Sequence, residues 1–103
     1  RHGAELTMKD IIREEARLIM LRELAAQGNY SGNESLLQTT LESYGISKAR
    51  DWVREELRRL EDLGAIRITM AGSIIVATAT MKGIEHVERR LVIEGVKRPS
   101  PLE

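Results

Sequence analysis

The 103 residues suffice for one domain with a single core and are too few for a cofactor-binding double domain. The chain is 42% hydrophobic and 31% charged, with no secretory leader pattern and no apolar run near the roughly 20 residues of a membrane span, which describes a soluble globular protein. Cysteine is absent, excluding disulfides, thiolate metal sites and a cysteine nucleophile, and a formal net charge of zero argues against a nucleic-acid binder working by bulk charge.

Residues 1–7 carry no pattern and are expected to stand outside the domain as an appended or disordered segment. The domain itself is expected over 8–95, with 96–103 as an extended basic tail. From Met8 to Gln27 nearly every residue is a good helix former, and Ile12, Ala16, Ile19, Met20 and Leu24 trace one apolar stripe. Ile11, Leu18, Leu21 and Ala25 trace a second, so this helix is either covered on two sides within one subunit or meets a partner subunit on one of them. Gly28 to Asn33 (GNYSGN) reads as a loop. Asn33 or Glu34 opens a short helix to Tyr44, with Leu36, Leu37, Thr40 and Leu41 available for burial; Gly45 ends it and Ile46 plugs the following corner.

The next segment, GISKARDWVREELRRLEDLGAI, reads as the second half of a helix-turn-helix leading into a strand. Ser47 is placed to cap a helix over 47–63, and Gly64 to end it in a left-handed residue. Ala49, Val53, Leu57, Leu60 and Gly64 share one narrow sector, the buried stripe. The opposite sector carries Lys48, Arg50, Asp51, Arg54 and Arg58, where a recognition helix meets base edges. Arginine can bond bidentately to guanine O6 and N7, lysine more often takes phosphate, and Asp51 can accept from cytosine N4. The bland alternative is a solvated face with ion pairs inside the helix, each worth only tenths of a kcal/mol. After Gly64, Ile66, Ile68 and Met70 alternate with Arg67 and Thr69 as in a half-buried strand, Ala71 to Ser73 turn, and Ile74 to Thr80 (IIVATAT) return. Thr80 or Thr78 caps a last helix from about Met81 to Ile93, with Ile84, Val87 and Leu91 inside and Glu85, Glu88 and Arg89 outside.

The order helix, helix, helix, hairpin, helix gives the expected fold class: mainly α with a β-hairpin wing, a winged helix-turn-helix. VREELRRLEDLGAI and ATATMKG resemble the recognition-helix exit and the wing-to-helix step of bacterial regulators of the arsenic-repressor and multiple-antibiotic-resistance-repressor types. REEARLIMLRELAAQGNYSGNESLL, ARDWVREELRRLEDLGAI, VATAT and GVKRPSP together resemble a family of small proteins of Mu-like transposable phages and prophages, over nearly everything from Arg13 to Pro101. That resemblance implies a winged helix, a phage origin and a bacterial cytoplasm as the place of action. One departure stands out: the wing is apolar, with Arg67 its one charge, so its tip offers no Arg or Lys to a minor groove.

Trp52, at the margin of the buried stripe, is expected to pack its ring on the hairpin or the first helix with its N–H outward, and three aromatics in all do not make a single-strand stacking platform. His86 lacks a second histidine at helical spacing and is expected at the surface, with no metal site. Ser31, Ser35 and Ser43 have no histidine near them and no phosphate-cradling loop occurs, so neither an enzyme nor a cofactor is expected. Lys97 and Arg98, in the tail VKRPSP, can track a phosphate backbone as a flexible arm or lie against their own domain. The expected function is a transcriptional regulator binding double-stranded DNA as a homodimer through its first and last helices. The alternative is a protein-interaction module of phage assembly or DNA packaging.

Overall fold

Thr7 caps the first helix of the computed structural model, which describes residues 6–101. Its hydroxyl accepts from the Asp10 amide at 3.1 Å while the Asp10 carboxylate accepts from Thr7 N, a reciprocal capping box. Thr7 therefore belongs to the domain, against the expected start at residue 8. The expectations for residues 1–5, including His2, and for Leu102 and Glu103 lie outside the described residues.

Four helices and a three-stranded antiparallel sheet follow in the order α1 (Met8–Ala26), β1 (Ser31–Asn33), α2 (Glu34–Ser43), α3 (Arg50–Asp62), β2 (Ile66–Ala71), β3 (Ile74–Ala79) and α4 (Met81–Val87). Helix α1 is central and touches α2, α3, α4, β1 and β3. Its two apolar stripes are both buried by the chain's own elements: Ala16, Leu18, Ile19, Met20, Leu21 and Leu24 are inside, while Ile11 near the N-terminal end stays exposed. Leu37 and Leu41 from α2, Val53, Leu57 and Leu60 from α3, Ile75 and Ala77 from β3, and Ile84 from α4 complete one core. Among the described residues no helix is long and apolar enough to cross a membrane.

Helices α2, α3 and α4 stop in the same way. In each, the residue after the C-cap turns left-handed, and its own amide and the next one fold back onto the last turn. Gly45 (φ 84°) and Gly64 (φ 80°) fill that position after α2 and α3, with Ile46 N bonding Leu41 O and Ala65 N bonding Leu60 O, each at 2.9 Å. After α4 the position is filled by Arg89 (φ 64°), and Arg90 N bonds Glu85 O at 2.8 Å. The last helix is thus shorter than the expected Met81 to Ile93, because a non-glycine residue takes the stop.

Two further differences have local causes. Helix α3 starts at Arg50, with Ala49 as N-cap and no side-chain cap, so Ser47 does not cap it. Gln38 of α2 donates to the Lys48 carbonyl at 2.8 Å and holds the preceding segment out of the helix. The expected loop GNYSGN contains β1, which pairs Ser31, Gly32 and Asn33 with Thr78, Ala77 and Val76. Asn33 then caps α2 by accepting from Leu36 N at 2.8 Å. Strand β3 is consequently the middle of the sheet, paired on its other side with β2 from Ile66–Ala79 to Ala71–Ile74. On the outer side of β2, the Ile68 amide donates to the Glu61 carboxylate at 3.0 Å.

Candidate nucleic-acid interface

The tight turn at Gly45 delivers α3 to the surface with Val53, Leu57 and Leu60 inward and its polar sector outward, while Ala49 and Gly64, expected on the buried stripe, are exposed. Lys48, Arg50, Asp51 and Arg58 are exposed there, and Arg54 is partly covered. Lys48 Nζ lies 5.4 Å from the centroid of the Trp52 ring, and the Arg13 guanidinium of α1 lies 5.1 Å from it. The ring is half-buried against the core, so the expected seat beside the first helix holds.

Arg54 has a partner that no spacing within α3 reveals. Glu34, the first residue of α2, is 1% exposed and takes Arg54 Nε on Oε1 at 2.6 Å and Arg54 Nη2 on Oε2 at 2.8 Å. Arg54 Nη2 also donates to the Ser73 carbonyl in the hairpin turn at 2.8 Å, and Glu34 Oε2 accepts from the Ile75 amide at 2.8 Å. The Arg54 bond holds the Glu34 carboxyl down at about 2; burial opposes this, and the Ile75 amide adds to it. Arg50 Nε stands 3.9 Å from the same carboxylate with half its side chain exposed.

A second buried carboxylate, Glu56, sits on the apolar stripe of α3 at 1% exposure and is met by Arg13 and Arg17 of α1. Arg17 Nε bonds it at 2.7 Å while Arg17 Nη1 donates to the Gly95 carbonyl at 2.6 Å. A sequence signal existed here: Glu56 falls between Val53, Leu57 and Leu60, and a charge on a buried face requires a partner.

The structure brings Arg50, Asp51, Arg54 and Arg58 together on α3, leaves Lys48 in the segment just before its N-cap, and seats Lys97 and Arg98 elsewhere, beside α1 and the α4 exit. The tail is no free arm at its start: Val96 is buried, Lys97 N donates to the Glu14 carbonyl at 3.1 Å, and Lys97 Nζ lies 3.6 Å from Glu15. His86, expected at the surface, is fully buried. Its Nε2 bonds the Lys97 carbonyl at 2.8 Å and its Nδ1 accepts from the Ile93 amide at 3.1 Å, so it spans the turn after α4 and the tail. No group of His, Asp or Glu among the described residues could hold a metal ion.

These features define a small mixed α/β protein whose α2–α3 corner runs directly into a hairpin tied back onto both helices. It is 36% identical over 94 residues to the uncharacterized protein gp26 of Escherichia phage Mu, covering 91% of this chain and 97% of the relative. It is 32% identical over 97 residues to an uncharacterized protein of Haemophilus influenzae, covering 93% of this chain and 94% of that one. The chain belongs to the family of small phage-related proteins that includes gp26 of phage Mu. No protein-family model and no solved structure matches it.

Proposed function

We propose that this chain is a winged helix-turn-helix protein that binds double-stranded DNA as a homodimer, with α3 in the major groove. The observation that carries the reading is the surface position of α3 directly after the α2 turn, with Lys48 and Arg50 exposed at its start and the hairpin following it. Arg50 is the base-edge candidate, Lys48 and Arg58 take phosphate, and Asp51 accepts from a cytosine amino group. The modest basic excess makes one copy a weak binder, and two copies on one duplex raise the affinity by linkage. Exposed Met8 and Ile11 on α1 and Met81 on α4 support pairing through those two helices. The test is a duplex titration at two salt concentrations with Lys48→Ala and Arg50→Ala, alongside a measurement of molecular mass in solution. Both substitutions are expected to weaken binding and flatten its salt dependence; if neither does, the reading fails.

The hairpin favours a second reading. Met70 and Ile74 near its tip are 50% and 37% exposed and Arg67 is its one charge, a surface better suited to another protein than to phosphate. In that case the domain is an interaction module of phage assembly or DNA packaging. Absence of duplex binding even at low salt would favour it.

A further inference from the structure

Of the three arginines in the polar sector of α3, Arg50 and Arg54 stand one turn apart near its start, and sequence alone treats them as equivalent readers. Their hydrogen bonding separates them. A guanidinium has five N–H donors, and a bidentate contact to guanine needs two of them on one edge, either Nε with Nη2 or Nη1 with Nη2. In Arg54 the Nε proton goes to Glu34 Oε1, and the two Nη2 donors go to Glu34 Oε2 and the Ser73 carbonyl. Both edges are therefore spoken for, and only the Nη1 donors remain. Arg50 has no hydrogen bond to Glu34 at 3.9 Å and keeps half its side chain in solvent.

The same bonds have a mechanical consequence. Ser73 lies in the turn between β2 and β3, and Ile75 near the start of β3 gives its amide to Glu34. One carboxylate and one guanidinium thus join the first turn of α2, the second turn of α3 and the hairpin. Charge-assisted bonds to a buried carboxylate are the stronger kind, and losing one partner leaves the other buried and unmatched.

We propose that Arg54 is a positioning residue, not a base reader: through Glu34 and the Ser73 carbonyl it locks the β2–β3 hairpin onto α2 and α3, leaving Arg50 and Lys48 to meet the nucleic acid. The assignment to DNA rests on the function proposed above, whereas the lock does not.

Amide exchange in the free protein tests the lock with Arg54→Lys and Glu34→Gln, two conservative changes that keep the volume of each side chain. Lysine keeps the charge but has no planar fork to span both Glu34 oxygens and Ser73. In both variants the Ile75 amide is expected to exchange at least tenfold faster than in the wild type, with the core amides of Leu21 and Leu57 little changed. Titration of a random-sequence duplex supplies the second arm. Glu34→Gln frees the Arg54 cation, so nonspecific affinity is expected to rise and the salt dependence to steepen by about one phosphate contact, while Arg54→Met leaves that slope as in the wild type. Unchanged Ile75 exchange in both variants overturns the lock, and an Arg54→Met slope lowered by about one overturns its withdrawal from DNA. A wild-type chain that binds no duplex removes the DNA reading, and the exchange data then decide the lock alone.

Discussion

Ile93 gives its backbone amide to Nδ1 of His86 at 3.1 Å, and this fixes the state of the ring. An Nδ1 that accepts carries no proton, so the proton sits on Nε2 and is donated to the Lys97 carbonyl at 2.8 Å. Nitrogen NMR of the ring is expected to show a proton on Nε2 and none on Nδ1. His86→Ala leaves the Ile93 amide and the Lys97 carbonyl without partners and opens a cavity, for an expected loss of about 2–4 kcal/mol in a denaturant titration. A loss below about 1 kcal/mol would mean that the ring holds nothing in place.

Glu34 confers an acid-sensitive share of stability. Its carboxyl is held at about 2 in the folded protein, below the ordinary 4.5, chiefly by Arg54. A depressed folded value means that the charged group stabilises fully above the unfolded value and that this share is lost as pH falls through the folded one. The stability gap between wild type and Glu34→Gln is therefore expected to hold steady above pH 4.5 and to close as pH falls towards 2. A gap that keeps its size down to the lower pH would show that Glu34 titrates normally.

Arg89 occupies a left-handed position that costs a side-chain-bearing residue about 1–2 kcal/mol, part of which glycine returns as entropy of the unfolded chain. Arg89→Gly is expected to raise stability by about 0.5–1 kcal/mol, read as an upward shift in the melting temperature. Its neighbour Arg90, exposed outside that position, is expected to show no such gain when replaced by glycine.

Gly83 in the first turn of α4 is buried beneath Ala65, and an added Cβ there would overlap the Ala65 carbonyl oxygen and press on Leu21. Backbone cannot yield as a flexible side chain does. Gly83→Ala, which favours helix intrinsically, is expected to destabilise by at least about 1–3 kcal/mol. A neutral result in a thermal melt would show that α4 packs less closely on the start of β2.

Much of this was legible in the sequence where a periodic apolar pattern met a glycine stop. The stripe Val53, Leu57, Leu60 and the stop at Gly64 located α3, and the alternation from Ile66 located the hairpin. Where the stop was an arginine, at Arg89, the helix end was invisible, and where a strand was built from Ser31, Gly32 and Asn33, no propensity marked it. That strand exists because the middle strand β3 offers an edge, a tertiary cause that outranks local preference. The candidate interface was half legible. The basic run from Lys48 to Arg58 stood out, but the Glu34 that engages Arg54 comes 20 residues earlier in another helix, and nothing in its neighbourhood hinted at burial. His86 misled for the same reason: its partners are a turn amide and a tail carbonyl, neither of which has a residue signature.

The Glu61 carboxylate on the Ile68 amide has a bearing on crowding. Strand β2 is one of the sheet's two edge strands, β1 being the other, and an open edge of this kind invites a neighbouring molecule to add a strand. A copy arriving there must first evict a carboxylate from the middle of the strand and would then place Glu61 against its own backbone carbonyls. When many copies are made at once, this one side chain works against edge-to-edge addition of sheets at β2 while leaving the hairpin tip open to its surroundings.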